Sequence, residues 1–186
     1  MSSTVELRHT ALEDVFILEP GIFEDARGSF FESWNARVFR ELTGLEVAFV
    51  QDNHSRSVQG VLRGLHYQLP PNPQGKLVRV VAGAVFDVAV DMRQSSPSFG
   101  QWAGTELTAE NRKQLWVPPG FAHGFLATSA WADVLYKTTD YFEPELDRSV
   151  KWDDPKIGIQ WPIRDQPILS DKDATAPGLF DADLFS

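Results

Sequence analysis

The apolar runs of this chain are short, and turn-forming residues cut them at close intervals. Pro70-Pro71, Asn72-Pro73, Ser96-Pro97 and Pro118-Pro119-Gly120 each interrupt the chain, and clusters of this kind end strands and start turns. Between the breaks, residues 15–18, 30–33, 47–51, 61–68, 76–82, 85–92, 101–107, 115–117, 123–128, 132–141 and 149–152 read as strands. Phe86, Val88 and Val90 alternate with Asp87, Ala89 and Asp91, the period of two that gives a strand one apolar face. Gly83-Ala84 between two such runs predicts a hairpin. One stretch has helical spacing instead: Val38, Phe39 and Leu42, with Asn35 to cap the start and Thr43-Gly44 to end it. Many short strands and few helices predict an all-β sandwich or barrel.

With 186 residues the chain suits one domain with a proper core, and is short for two. We therefore expect a single domain over residues 1–186, with the stretch beyond Pro162 docked as a tail through Leu179, Phe180, Leu184 and Phe185. The thirteen Phe and six Trp are more ring surface than a small core needs, so some rings should line a cleft. No cysteine is present. That excludes disulfides, thiolate catalysis and Cys-based zinc sites, and fits the cytoplasm. The net charge of −9 argues against nucleic-acid polymers and anionic membranes as partners. Val15-Phe16-Ile17-Leu18 is only four residues long, which predicts neither signal peptide nor membrane span.

The four histidines are His9, His54, His66 and His123. No two lie at the i, i+2 or i, i+4 spacing that barrel metal sites favour, and Gln68 stands where a second ligand would follow His66. No metal site is expected. A different chemistry suits the residues better. A His, a Lys and a Tyr facing one interior can move protons beside a carbonyl. The His takes the proton, the ammonium holds the enolate oxygen, and the phenol returns a proton from the other face. A positioned base gives about 10²–10⁴-fold and one oxyanion donor about 2.7–4 kcal/mol, so both are needed to approach ordinary enzymatic rates. His66, Lys76 and Tyr136 lie on predicted strands. Each alone has a bland alternative: a satisfied strand histidine, a solvated strand-end lysine, a core tyrosine. Gln51-Asp52-Asn53-His54-Ser55 reads either as a turn or as hydrogen-bonding ligands for a sugar or phosphate. Arg27 and Arg63 each precede a glycine, which permits close approach of an anion.

Six strings occur in order: Val50 to Ser55 (VQDNHS), Val61 to His66 (VLRGLH), Gln74 to Arg79 (QGKLVR), Phe86 to Asp91 (FDVAVD), Pro119 to Phe125 (PGFAHGF) and Tyr136 to Tyr141 (YKTTDY). Together they resemble the dTDP-4-dehydrorhamnose 3,5-epimerases, over roughly residues 10–175. The resemblance implies a jelly-roll (cupin-like) subunit, usually a homodimer, working without metal or organic cofactor. It implies a small-molecule dTDP-sugar as partner: dTDP-4-dehydro-6-deoxy-D-glucose, inverted at carbons 3 and 5. Carried over by position, it makes His66 the base, Asp173 its carboxylate partner, Tyr136 the acid and Lys76 the enolate stabiliser. It places Arg27, Glu32, Gln51, Asn53, Arg63, His123 and Lys172 on nucleotide, diphosphate or sugar, and Tyr141 against thymine. Asp147 stands where a Glu is usual in a nucleotide-contacting loop, and Phe142 where a second Tyr is common. The alternatives are a single-centre epimerase of a related keto sugar and a non-catalytic ligand-binding barrel.

Arg63 and His66 pose a parity problem. Three residues apart on a regular strand, they point to opposite faces. Either Gly64 marks a bulge that resets the alternation, or Arg63 serves the pocket less directly.

Overall fold

The computed structural model describes residues 5–163 and 165–186. The strands run β1 Val5–His9, β2 Phe16–Pro20, β3 Phe23–Asp25, β4 Gly28–Phe30, β5 Gln51–Val58, β6 Leu62–Gln68, β7 Lys76–Ala82, β8 Ala84–Asp91, β9 Trp102–Thr108, β10 Gln114–Val117, β11 Phe121–Ala127, β12 Trp131–Thr138 and β13 Asp147–Ser149. Two helices accompany them, α1 Ala36–Thr43 and α2 Asp171–Ala174. Six strands form one antiparallel sheet in the order β1-β2-β10-β7-β12-β5, and five form a second, β13-β6-β11-β8-β9. The sheets face each other as a jelly-roll sandwich. Between them lie Val78, Val80 and Val134 from the first sheet and Val85, Ala89, Phe121 and Phe125 from the second, all buried.

Each sheet also has an apolar outer face, and each is covered by a different part of the chain. On the six-stranded sheet, α1 lays Phe39 against Phe16 and Trp116, ring centroids 6.1 and 5.4 Å away. The helix starts and stops where its local chemistry dictates. The Asn35 side chain accepts from the Arg37 and Val38 amides, and Gly44, at φ 71°, closes the other end with its amide on the Arg40 carbonyl. Truncating a ring as buried as Phe39 should cost about 3–5 kcal/mol.

On the five-stranded sheet the cover is the stretch after β13. Ile157, Leu179 and Phe185 pack on Leu65, Tyr67, Val88, Val90 and Met92. Polar ties fix its course. Tyr67 donates its hydroxyl proton to the Asp183 carbonyl at 2.6 Å, and the Gln94 amide donates to the Phe185 carbonyl at 2.9 Å.

The strand assignment departs from expectation in places. The segment 47–50 is not a strand, whereas the polar run beginning at Gln51 is β5 rather than a turn. Its side chains alternate between the cleft side and solvent, so neither face is apolar and the usual signal is missing. Strands β1 and β3 were not anticipated, and the strand expected at 30–33 lies earlier, as β4. The one expected at 132–141 stops at Thr138.

Candidate functional site

An open cleft of about 370 Å³ lies at one end of the sandwich, with walls from both sheets. From the six-stranded sheet come Gln51 and Asn53 on β5, Lys76 on β7 and Tyr136 on β12. Their closeness follows from register: Tyr136 pairs with Asn53 on one side and Val78 on the other, and Thr138 pairs with Lys76. From the opposite sheet come His66 on β6 and Asp147 on β13. Lys172, on α2, also lines the cleft and forms an ion pair with Asp147.

His66 Nε2 lies 2.5 Å from Asp173 Oδ1. Asp173 is buried on α2, and its second oxygen accepts from the Ser170 hydroxyl at 2.8 Å. The Asp173 amide in turn donates to Ser170 Oγ at 3.2 Å, so one serine both caps the helix and holds the carboxylate. Burial works to raise the Asp173 pKa, but the hydrogen bonds from His66 and Ser170 outweigh it and leave the carboxyl below its ordinary range. A carboxylate so held stays charged and orients the imidazole by one nitrogen, leaving the other for the cleft.

Lys76 Nζ donates to the His66 carbonyl at 3.2 Å. Burial pushes this ammonium down to about 8, against the pull of Asp147 and Asp87 in the other direction. At pH 7 a group of that pKa is still about nine-tenths charged. Burial raises the Tyr136 phenol above its ordinary value, and the Arg63 charge opposes it. A protonated phenol thus faces the cleft from one wall and an imidazole from the other, with an ammonium at hand. That set can remove a proton on one face of a bound molecule, hold the resulting anion and deliver a proton to the other face.

The parity of β6 resolves as a bulge. His66 pairs with His123, but Arg63 pairs with Phe125, so three steps on β6 answer two on β11 and Arg63 shares the face of His66. Gly64, at φ +123°, makes this feasible: a Cβ there would lie 2.5 Å from Gly124 Cα. The Arg63 guanidinium donates to Ser57 Oγ at 3.0 Å. His123 is buried behind the cleft lining, with Nε2 on Asp87 at 2.9 and 3.1 Å.

Neither Arg63 nor His123 is in the cleft lining, and three other expected contacts are not brought to it within one chain. Arg27 sits on the β3–β4 hairpin with its side chain 90% exposed and paired to Asp25 at 2.5 Å. Glu32 lines a small hollow beside α1 instead. Tyr141 is 61% exposed, and it is the next residue, Phe142, that lines the cleft. The buried Gln68 side chain stitches this loop down, donating to the Asn72 and Tyr141 carbonyls and accepting from the Glu143 amide at 2.9 Å. Gln68 and Gln74, both in the lining, and Ser170 were not singled out beforehand. Among the described residues, no three His, Cys, Asp or Glu side chains gather as metal ligands, and no helix is long and apolar enough to cross a membrane.

Known proteins share this sequence and architecture. The family profile described as dTDP-4-dehydrorhamnose 3,5-epimerase matches residues 9–181. The chain is similar to the dTDP-4-dehydrorhamnose 3,5-epimerase of Pseudomonas aeruginosa, 57% identical over 94% of this chain and 96% of the relative. It is 58% identical to the Salmonella typhimurium protein of the same name, over 90% of this chain and 92% of the other. Among solved structures it is similar to the dTDP-6-deoxy-D-glucose-3,5-epimerase of Legionella pneumophila in complex with dTDP-4-keto-L-rhamnose. The TM-score is 0.92 at 52% identity, covering 95% of this chain and 94% of that one.

Proposed function

The chain belongs to the dTDP-4-dehydrorhamnose 3,5-epimerase family, and we propose that it inverts carbons 3 and 5 of dTDP-4-dehydro-6-deoxy-D-glucose by proton abstraction and reprotonation through an enolate. The observation that carries this is the opposition of His66, held by Asp173, to Tyr136 across a cleft that also contains the Lys76 ammonium. Carbons 3 and 5 flank the C4 ketone, so the proton on each is acidified by the same carbonyl. His66 removes it, the electron pair moves onto the ketone oxygen, and Lys76 stabilises that oxyanion. Tyr136 then protonates carbon from the opposite face, and the configuration inverts. Because one carbonyl activates both positions, one base and one acid serve both inversions once the sugar shifts between them.

The remaining lining residues suit the rest of the ligand. Gln51 and Asn53 offer donors and acceptors to the sugar and diphosphate, and Arg63, outside the lining but on the His66 face of β6, and the buried His123 stand behind them. Lys172 is a cation for the diphosphate, held by Asp147 until the ligand arrives. Phe142, half exposed but part of the cleft lining, is better placed to stack on thymine than Tyr141, which lies outside the lining. Arg27 and Glu32 reach no cleft of their own chain, and the exposed Ile22, Phe23 and Phe30 of the same region need cover. A homodimer in which this hairpin meets the partner subunit meets both needs, and sedimentation of the free protein measures it. The absence of cysteine suits work in the cytoplasm.

The test is incubation with dTDP-4-dehydro-6-deoxy-D-glucose in heavy water, following deuterium and stereochemistry at both carbons by NMR. Deuterium and inversion at carbons 3 and 5 are expected. Inversion at one carbon would assign the single-centre activity instead, and no exchange at either would remove the epimerase reading for this substrate.

A further inference from the structure

Asp87 is a buried charge to which the proton-transfer scheme gives no task. It lies on β8, points between the sheets and is 0% exposed. Among the described residues its two oxygens share a single donor, His123 Nε2. The other fully buried carboxylate on that strand, Asp91, is served very differently: Arg93 grips it through two nitrogens, and Ser96 and Ser98 add their hydroxyls. An ionised carboxylate with one imidazole N–H is poorly compensated in an interior, so a cation is needed near it. The contacts lead to one. His123 pairs in register with His66, and the His66 carbonyl accepts from the Lys76 ammonium.

We propose that Asp87 is a positioning residue of the epimerisation: it is the buried counter-charge that keeps Lys76 an ammonium, and by engaging His123 Nε2 it leaves the ring's Nδ1 for the ligand. This rests on the epimerase reading and deepens it. The charged and titratable groups facing Lys76 are Asp147 on β13, Asp87 on β8 and Lys172 on α2, with His66, His123 and Tyr136 on β6, β11 and β12. Burial pushes the Lys76 ammonium down to about 8, Asp147 and Asp87 hold it up, and Lys172 pushes it down further. Asp147, the stronger of the two, lines the cleft and shares its charge with Lys172; Asp87 is the one that is fully buried and has no lysine or arginine within ion-pair distance among the described residues. An oxyanion stabiliser that loses its proton stabilises nothing, so the enolate step depends on a side chain that never touches the sugar.

Deuterium exchange and thermal melting of four proteins, across pH 6 to 9 (about one to two units either side of the Lys76 value), test this: wild type, Asp87→Asn, Lys76→Met and the double variant. Asp87→Asn should move the alkaline limb of kcat down by about one pH unit or more, a fall of about fivefold or more at pH 8, with KM little changed. In the Lys76→Met background the same substitution should cost no further exchange, because the charge it supports is gone. It should also melt higher than Asp87→Asn alone, because no unpaired ammonium remains buried. A folded Asp87→Asn protein with an unmoved limb would overturn the proposal, as would an equal loss in both backgrounds. If Asp87→Asn does not fold, recovery of a cooperative melt in the double variant supports the pairing and failure to recover refutes it. Absence of exchange in the wild type would remove the epimerase reading itself, and the melting comparison would still decide whether Asp87 balances Lys76.

Discussion

Two histidines sit opposite each other on neighbouring strands, each against a carboxylate, yet the two pairs are built for different work. His66 keeps 31% of its side chain exposed in the cleft, and its partner Asp173 arrives on α2, 107 residues further along the chain. His123 keeps 7% exposed, and its partner Asp87 stands on β8, beside it in the same sheet. The first carboxylate is well supplied, with a serine hydroxyl on its second oxygen; the second depends on one ring nitrogen. A histidine–carboxylate pair is therefore no signature of a general base. What separates the two is access to the ligand and how the carboxylate is otherwise satisfied.

Substitutions can break this comparison or sharpen it. The largest effect belongs to the exposed pair: His66→Ala should remove proton exchange at both carbons, a loss of about 10²–10⁴-fold or more, read as deuterium uptake. Retained exchange would assign the base elsewhere. Asp173→Asn should come next, because the amide no longer stabilises the imidazolium or fixes its tautomer. The matching change in the buried pair, His123→Asn, should raise KM more than it lowers kcat, and a kcat loss equal to that of Asp173→Asn would erase the distinction.

Between the two pairs sits Lys76, and its response to pH should split activity from stability. Its pKa in the folded protein is about 8, against an ordinary value of 10.5. Between those values the unfolded chain binds more protons than the folded one, so stability gains from this group as pH rises through the window. Over the same window the ammonium is lost, so kcat should fall while the melting temperature gains a rising contribution. Parallel pH series of kcat and of denaturant midpoint would show it, and a kcat independent of pH from 8 to 10 (on the order of the shift in question) would deny Lys76 its role. The smallest effect is at the tail. Tyr67→Phe removes one hydrogen bond to the Asp183 carbonyl and should cost about 0.5–1.5 kcal/mol, with no change in the exchange pattern.

How much of this was legible beforehand follows from how local each feature is. Helix α1 was legible to its caps, because Asn35 and Gly44 act within one turn. Strand β8 was legible from its alternation, although both of its faces proved buried, Val85 and Ala89 between the sheets and Val88 and Val90 beneath the tail. Strand β5 was not, since Gln51, Asn53 and Ser55 turn their polar side chains inward where a core strand would be apolar. The positions of His66, Lys76 and Tyr136 on strands could be read, but their meeting could not, as it depends on two sheets closing. Asp173 had no local signal at all and came only from the family resemblance. Arg63 needed the bulge at Gly64, which alternation alone leaves undecided. Arg27 and Glu32 belong to a region whose role is not expressed within one chain.

The separation of His66 and Asp173 along the chain has a consequence for how this protein loses activity. The base is built into a sheet strand, but the group that orients it rides on a short helix in the segment that follows the last strand. Segments like that one open with a smaller free energy than the sheets beneath them. Each such excursion leaves a complete barrel with a disoriented imidazole. On warming, the chemistry should therefore fade before the sandwich melts, and the activity of a preparation reports the docking of one peripheral turn rather than the integrity of the whole fold.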